Sequence, residues 1–227
     1  MRDSYKLYNL IIKIELLMYN DISIMHLVQQ TVEILGTFAF AISGIRHAAA
    51  KSFDWFGGYM CGFAVAIGGG TIRDVMLGTR PFWMADPLYV LCTAAALLTV
   101  VLFGRFMRRL QNTWFVFDTF GLALFTIAGI QKSLDFGCSY WVAVIMGCIT
   151  GAAGGVIRDV LLNNVPVIFH KEIYAMASVA GGVTYCGLLL AGIDAILSVI
   201  VAFVTVCAIR FLAVRYHISL PILRPQE

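Results

Sequence analysis

The sequence predicts an all-α integral membrane protein with seven transmembrane helices: two inverted three-helix repeats and a seventh helix outside them. Three observations predict it. The 227 residues are 60% hydrophobic and 13% charged, with a mean hydropathy of +0.87, whereas soluble domains are about 45–50% apolar and about 25% charged. The apolar residues gather into runs close to the roughly 20 residues that span a bilayer. The chain also matches itself, without a gap, at an offset of 85 positions.

The elements follow in order. Residues 1–24 form an N-terminal extension. Lys13 and Glu15 interrupt its apolar stretch and no small-residue cleavage site follows, so a signal peptide is disfavoured. Leu7–Met18 reads as an interfacial helix or as the product of an upstream start codon, with Met25 as the alternative first residue. The first repeat, 25–106, holds spans Leu27–Ile45, Trp55–Gly78 and Leu88–Phe106. The second, 114–192, holds Trp114–Gln131, Cys138–Asn163 and Ile173–Gly192. The seventh helix occupies 193–213, and 214–227 form a tail.

The repeat rests on more than apolar residues. Gly36 falls on Gly121, Phe40 on Phe125, Gly44 on Gly129, and Gly62 on Gly147. The run Gly69-Gly70-Thr71-Ile72-Arg73-Asp74 falls on Gly154-Gly155-Val156-Ile157-Arg158-Asp159. Pro81 falls on Pro166, Tyr89 on Tyr174, and the acid Glu33 on the acid Asp118. Chance aligns apolar residues; it does not readily align glycines, prolines and Arg-Asp pairs in one register. Three crossings per repeat start the second copy on the opposite face, so the repeat is inverted, as in many transporter folds. The face carrying the first loop receives Arg46, Lys51, Arg105, Arg108, Arg109, Lys171, Arg210, Arg215 and Arg224, and the other face Arg80 and Lys132. Lys and Arg favour the cytoplasm. This places the N-terminus outside and the C-terminus inside a bacterial inner membrane.

Several functions find no support. No basic run interleaved with aromatics points to nucleic acid. No serine elbow, phosphate loop or His-Glu-x-x-His motif points to an enzyme. The six cysteines form no Cys-x-x-Cys pair, and most lie in apolar runs as small packing residues. The four histidines lack ligand spacing, so neither a metal nor a cofactor is expected.

The chemistry-bearing residues lie in the second and fifth spans. Glycine costs about 1 kcal/mol relative to alanine inside a helix. Gly68-Gly69-Gly70 therefore predicts a break or kink, repeated at Ala153-Gly154-Gly155. Broken helices expose backbone groups that bind ions. Close packing is the competing reading, because small residues recur every fourth position from Gly58 to Gly70 and from Ala143 to Gly155. Arg73-Asp74 and Arg158-Asp159 are intramembrane charges or helix-end charges at the headgroups. Neighbours on a helix point about 100° apart, so pairing across the repeats (Arg73 with Asp159, Asp74 with Arg158) is one option. Pro81 and Pro166 read as helix terminators. Glu33 and Asp118 read as helix-start acids. Lys132 reads as a snorkelling anchor, or else as a charge at a pore mouth.

The doubled glycine-Arg-Asp run, together with Ala41-Ile42-Ser43-Gly44, resembles the prokaryotic trimeric intracellular cation channel family, formerly labelled a "glycine transporter" domain. The resemblance covers roughly Met25 to Pro221. It implies a homotrimer among membrane lipids, with one hydrated pore per protomer. It implies passive conduction of monovalent cations, potassium first and sodium second. The pore would be lined at Gly68, Gly69, Gly70, Gly154 and Gly155, with Arg73, Asp74, Arg158, Asp159 and Lys132 as associated charges. Similar proteins often carry three glycines in both repeats; Ala153 departs from that pattern and implies a stiffer second kink. Secondary transport of a small amino acid such as glycine is the alternative, since inverted repeats also suit alternating access.

Overall fold

The computed structural model describes residues 2–109, 113–169 and 173–219, with side chains described over 24–104, 113–169 and 173–219. The expectations for the side chains of Leu7–Met18, Arg105, Arg108, Arg109, Lys171 and Arg224 lie outside this set. The described residues form eight α-helices: α1 (Arg2–Ala50), α2 (Trp55–Met76), α3 (Phe82–Ala85), α4 (Leu88–Arg109), α5 (Thr113–Asp135), α6 (Tyr140–Leu161), α7 (Ala175–Leu190) and α8 (Ala195–Arg215). A 3-10 turn spans Val167–Phe169.

The long helices follow the apolar runs. Asp54 caps α2 by accepting the Gly57 N–H at 2.7 Å. Asp194 caps α8 by accepting the N–H groups of Ile196 and Leu197 at 2.9 and 3.1 Å. The expected terminators do not end α2 and α6. Those helices stop earlier, at the left-handed residues Gly78 (φ 71°) and Asn163 (φ 54°), which are 85 positions apart. Pro81 then opens α3, and Pro166 precedes the 3-10 turn, elements too short to leave an apolar period. The N-terminal extension is not a separate helix, because α1 runs through it to Ala50 and no Gly or Pro lies between Leu7 and Ile34. At 1.5 Å per residue α1 is about 70 Å long, against a hydrocarbon core of about 30 Å.

The glycine triplets do not interrupt their helices. α2 and α6 run through residues 68–70 and 153–155 as uninterrupted helix. The glycines serve a close crossing instead. A Cβ on Gly69 would overlap the carbonyl oxygen of Thr150, and one on Gly154 would lie 2.8 Å from the carbonyl oxygen of Val65. Thr150 and Val65 are themselves 85 positions apart, so each helix presses a glycine onto the other's backbone at equivalent places.

α1 and α5 pack along one another, and α2 and α6 pack on them and on each other. Phe40 of α1 stacks on Phe125 of α5, with ring centroids 5.5 Å apart and planes at 12°. α4 covers α1 and α2; α7 covers α5 and α6; α8 lies against α7 and α5. By length and composition α5, α6 and α8 can cross a membrane, and Leu88–Gly104 and Ala175–Leu190 are shorter apolar helices. Their burial grades outward: 67% for the apolar stretch of α5 and 28% for that of α8. Leu91, Leu98 and Leu102 on α4 remain exposed, a surface suited to lipid or to another subunit.

Two buried charge sets

Arg73 and Arg158 stand in the last turns of α2 and α6, yet they and the aspartates that follow them are buried rather than exposed at a surface. Arg73, Asp74, Arg158 and Asp159 are each at most 3% exposed, and a buried ion is tolerated only when its partners are in place. The sequence option of pairing across the repeats is not what the structure holds. Each arginine folds back along its helix onto the next residue: Arg73 Nε to Asp74 Oδ1 at 2.7 Å, and Arg158 Nε to Asp159 Oδ1 at 2.9 Å. The guanidinium's length lets it reach a neighbour that a shorter side chain would point away from.

Each arginine also meets the acid of its repeat's first helix. Arg73 Nη1 lies 2.8 Å from Glu33 Oε1, and Arg158 Nη1 bonds Asp118 Oδ1. Glu33 and Asp118 are therefore buried counter-ions rather than helix-start acids. A tyrosine completes each set: Tyr89 donates to Glu33 at 3.0 Å, and Tyr174 donates to Asp118 at 3.4 Å. The second carboxylate oxygen of each aspartate accepts a backbone N–H beyond the turn. Phe82 supplies it to Asp74 at 2.7 Å and Val167 to Asp159 at 2.9 Å. This fixes the purpose of α3 and the 3-10 turn, which aim one amide each at a buried carboxylate. Every partner in one set is 85 positions from its counterpart in the other.

The sets differ in what surrounds them. Lys132, at the end of α5, crosses to the first set and places Nζ 2.9 Å from Asp74 Oδ1, with 18% of its side chain exposed. It is the partner of a buried carboxylate rather than a snorkelling anchor. In the second set Arg158 also donates to Ser43 Oγ at 3.3 Å; the equivalent of Ser43 is Ala128, and Arg73 Nη2 is buried without a hydrogen-bond partner among the described residues. Arg210 of α8, counted from sequence among the loop charges, is 1% exposed and lies over the rings of Tyr174 and Phe115, 4.7 and 5.1 Å from their centroids.

The remaining glycines border the sets. A Cβ on Gly70 would overlap Phe82, one on Gly155 would meet the Tyr174 hydroxyl at 2.5 Å, and one on Gly68 would overlap Ile157. Sequence reasoning named Tyr89, Tyr174, Ser43 and Arg210 but gave none of them a part in a charge set. The register that aligned the two tyrosines was the available signal for them; nothing in the sequence marks Arg210 as buried. Cavities open at the C-terminal ends of α1 and α5. One, of about 380 Å³, includes Arg46 and Trp55; the other, of about 390 Å³, includes Gln131 and Tyr185, and Gln131 is the repeat equivalent of Arg46. Among the described residues no group of His, Cys, Asp and Glu is placed to hold a metal.

Known proteins are similar to this chain over most of their length. The family described as "Glycine transporter" matches twice, over residues 30–105 and 115–190. A UPF0126 membrane protein of Vibrio cholerae is 36% identical over 205 residues, covering 88% of this chain and 83% of that protein. The UPF0126 inner membrane protein YadS of Escherichia coli K12 is 39% identical over 195 residues, covering 84% and 93%. Among solved structures, the TRIC trimeric intracellular cation channel orthologue from Rhodobacter sphaeroides superposes with a TM-score of 0.79 at 29% identity, covering 84% of this chain and 99% of that one. A structure described for conductance through TRIC cation channels gives 0.76 at 31% identity, covering 87% and 98%. The two matched stretches coincide with the two charge sets, and the chain belongs to the prokaryotic trimeric intracellular cation channel family, the membrane proteins grouped as UPF0126.

Proposed function

We propose that this protein is a passive channel for monovalent cations, potassium first and sodium second, working as a homotrimer in a bacterial inner membrane. The observation that carries this reading is the superposition, over nearly the whole chain, on channels described as trimeric and cation-conducting. We further propose seven spans in two inverted repeats plus α8, with the N-terminus outside, the C-terminus cytoplasmic, and one pore within each protomer between α2 and α6. The glycines at their crossing keep the two backbones in contact. Conduction then requires those backbones to part or bend at residues 68–70 and 153–155. Arg73, Asp74, Arg158, Asp159 and Lys132 hold the walls on either side and present charge to the path.

Potassium currents from purified protein in planar bilayers test the reading. Stepwise single-channel currents that reverse at the potassium equilibrium potential are expected. Saturable, gradient-coupled uptake of labelled glycine without such steps would replace this reading with secondary transport.

A further inference from the structure

The offset that pairs Asp74 with Asp159 also pairs Lys132 with His47. Lys132 brings a permanent ammonium to the first charge set. At the equivalent place beside the second set the chain has a histidine. His47 lies in the last turn of α1, two residues past the predicted span. Its ring stands edge-on to Trp114 at 4.8 Å, and it lines a cavity of about 350 Å³ with Arg46, Ala49, Ala50 and Trp114. Nδ1–H donates to the carbonyl of Ser43 at 2.8 Å. A carbonyl only accepts, so Nδ1 keeps its hydrogen and Nε2 is the nitrogen that takes up a proton.

We infer that His47 is a proton-operated charge at this mouth of the path, doing under acid conditions what Lys132 does permanently at the equivalent place. The inference rests on the cation-channel reading. The charged groups facing His47 are Arg158 and Asp159 from α6 and Asp118 from α5, with Arg46 beside it on α1. Tyr174 and Arg210 bound the same set. Whether or not Arg210 is counted into the balance, protonation adds one positive charge beside the set, which opposes entry of cations. Burial first, and then the Arg158 charge, hold the imidazole below its ordinary 6.5. His47 is therefore neutral at neutral pH and charges only in acid.

The test is potassium flux into proteoliposomes with both sides at about pH 7.5 or about pH 5. Wild-type flux is expected to fall about threefold or more in acid. His47→Gln is expected to carry equal flux at both values, and His47→Lys to stay low at both. His26→Gln, near the middle of α1 and about six turns from His47, is expected to keep the wild-type response. A flat wild-type profile, or a fall that survives in His47→Gln, overturns the inference. Absence of any flux defeats the channel reading instead, and thermal unfolding then decides about His47. A histidine whose folded proton affinity is depressed stabilises the fold above its unfolded pKa and loses that contribution as pH falls. Wild type should thus lose melting temperature relative to His47→Gln on acidification; parallel curves would mean that folding leaves the imidazole's proton affinity at its unfolded value, so that His47 does not sit buried beside the Arg158 set, and would end the proposal.

Discussion

The two repeats of this protein bury the same five-part charge set and hold it by different means. In the first, two cations (Arg73, Lys132) face two acids (Glu33, Asp74), and the second cation is lent by the other repeat. In the second, Arg158 faces Asp118 and Asp159, helped by the Ser43 hydroxyl and bordered by His47 and by Arg210 from α8. Duplication supplied two equal frames. The difference lies in the partners brought from outside each frame, and those partners give the two ends distinct responses to substitution and to pH.

Removing an arginine is the harshest way to break the comparison. Arg73→Leu leaves Lys132 against two acids, whereas Arg158→Leu leaves Asp118 and Asp159 without their bonded cation. Uncompensating a buried charge costs about 3–5 kcal/mol. Arg158→Leu is therefore expected to lower the yield of folded protein more than Arg73→Leu, judged by size-exclusion profile and melting temperature in detergent. Equal losses would mean that Lys132 contributes nothing to the first set.

Substitution at the crossing comes next. Gly69→Ala drives a methyl into the Thr150 carbonyl, while Gly154→Ala meets the Val65 carbonyl at 2.8 Å and Phe40 at 3.0 Å. Overpacking costs about 1–3 kcal/mol, and Gly69→Ala belongs at the upper end. Conductance should fall in the same order. Unimpaired current from Gly69→Leu would show that the crossing plays no part in the path.

The Lys132–Asp74 bridge is smaller in stability and more telling in function. Lys132→Gln leaves Asp74 its Arg73 and Phe82 partners, so about 1–3 kcal/mol is at stake. Lys132→His should give the first set the acid sensitivity inferred for His47, read as a second inflection in the pH dependence of flux. The mildest test exchanges the serine. Ser43→Ala removes an acceptor from Arg158, and Ala128→Ser offers one to Arg73; each shifts stability by about 1 kcal/mol, in opposite directions. Two losses would show that Arg73 is packed too tightly to use a hydroxyl.

Much of the fold was legible because lipid-scale apolar runs and the register at 85 positions are properties of the chain alone. From α2 onward span ends agreed with the ends of the long helices to within a few residues, where apolar periodicity dominates, whereas α1 begins at Arg2, well before the expected Leu27. The registered acids Glu33 and Asp118 were also visible, but their role was not. Sequence gives spacing along a helix, and these acids act across the gap between two helices. The break expected at the glycine triplets is absent for a related reason. Propensity penalises glycine in an isolated helix, while a neighbouring backbone in contact rewards it, and that neighbour lies far along the chain. Arg73 pairing with Asp74 escaped the 100° rule because a long guanidinium swings back over its own turn. Arg210 left no trace, since a lone arginine near a helix end reads as a loop charge.

The loan of Lys132 has a consequence for biogenesis. Chains are made and inserted from the N-terminus, so Glu33, Arg73 and Asp74 enter the bilayer before α5 exists. Their mutual pairing lets the nascent half remain in lipid, with one acid charge still unbalanced. The arrival of α5 supplies Lys132 and settles that charge, so insertion of the second half completes the first as well as itself. A chain truncated before Lys132 should therefore be a substrate for membrane quality control, whereas one truncated after α6 already contains every charged partner of the first set.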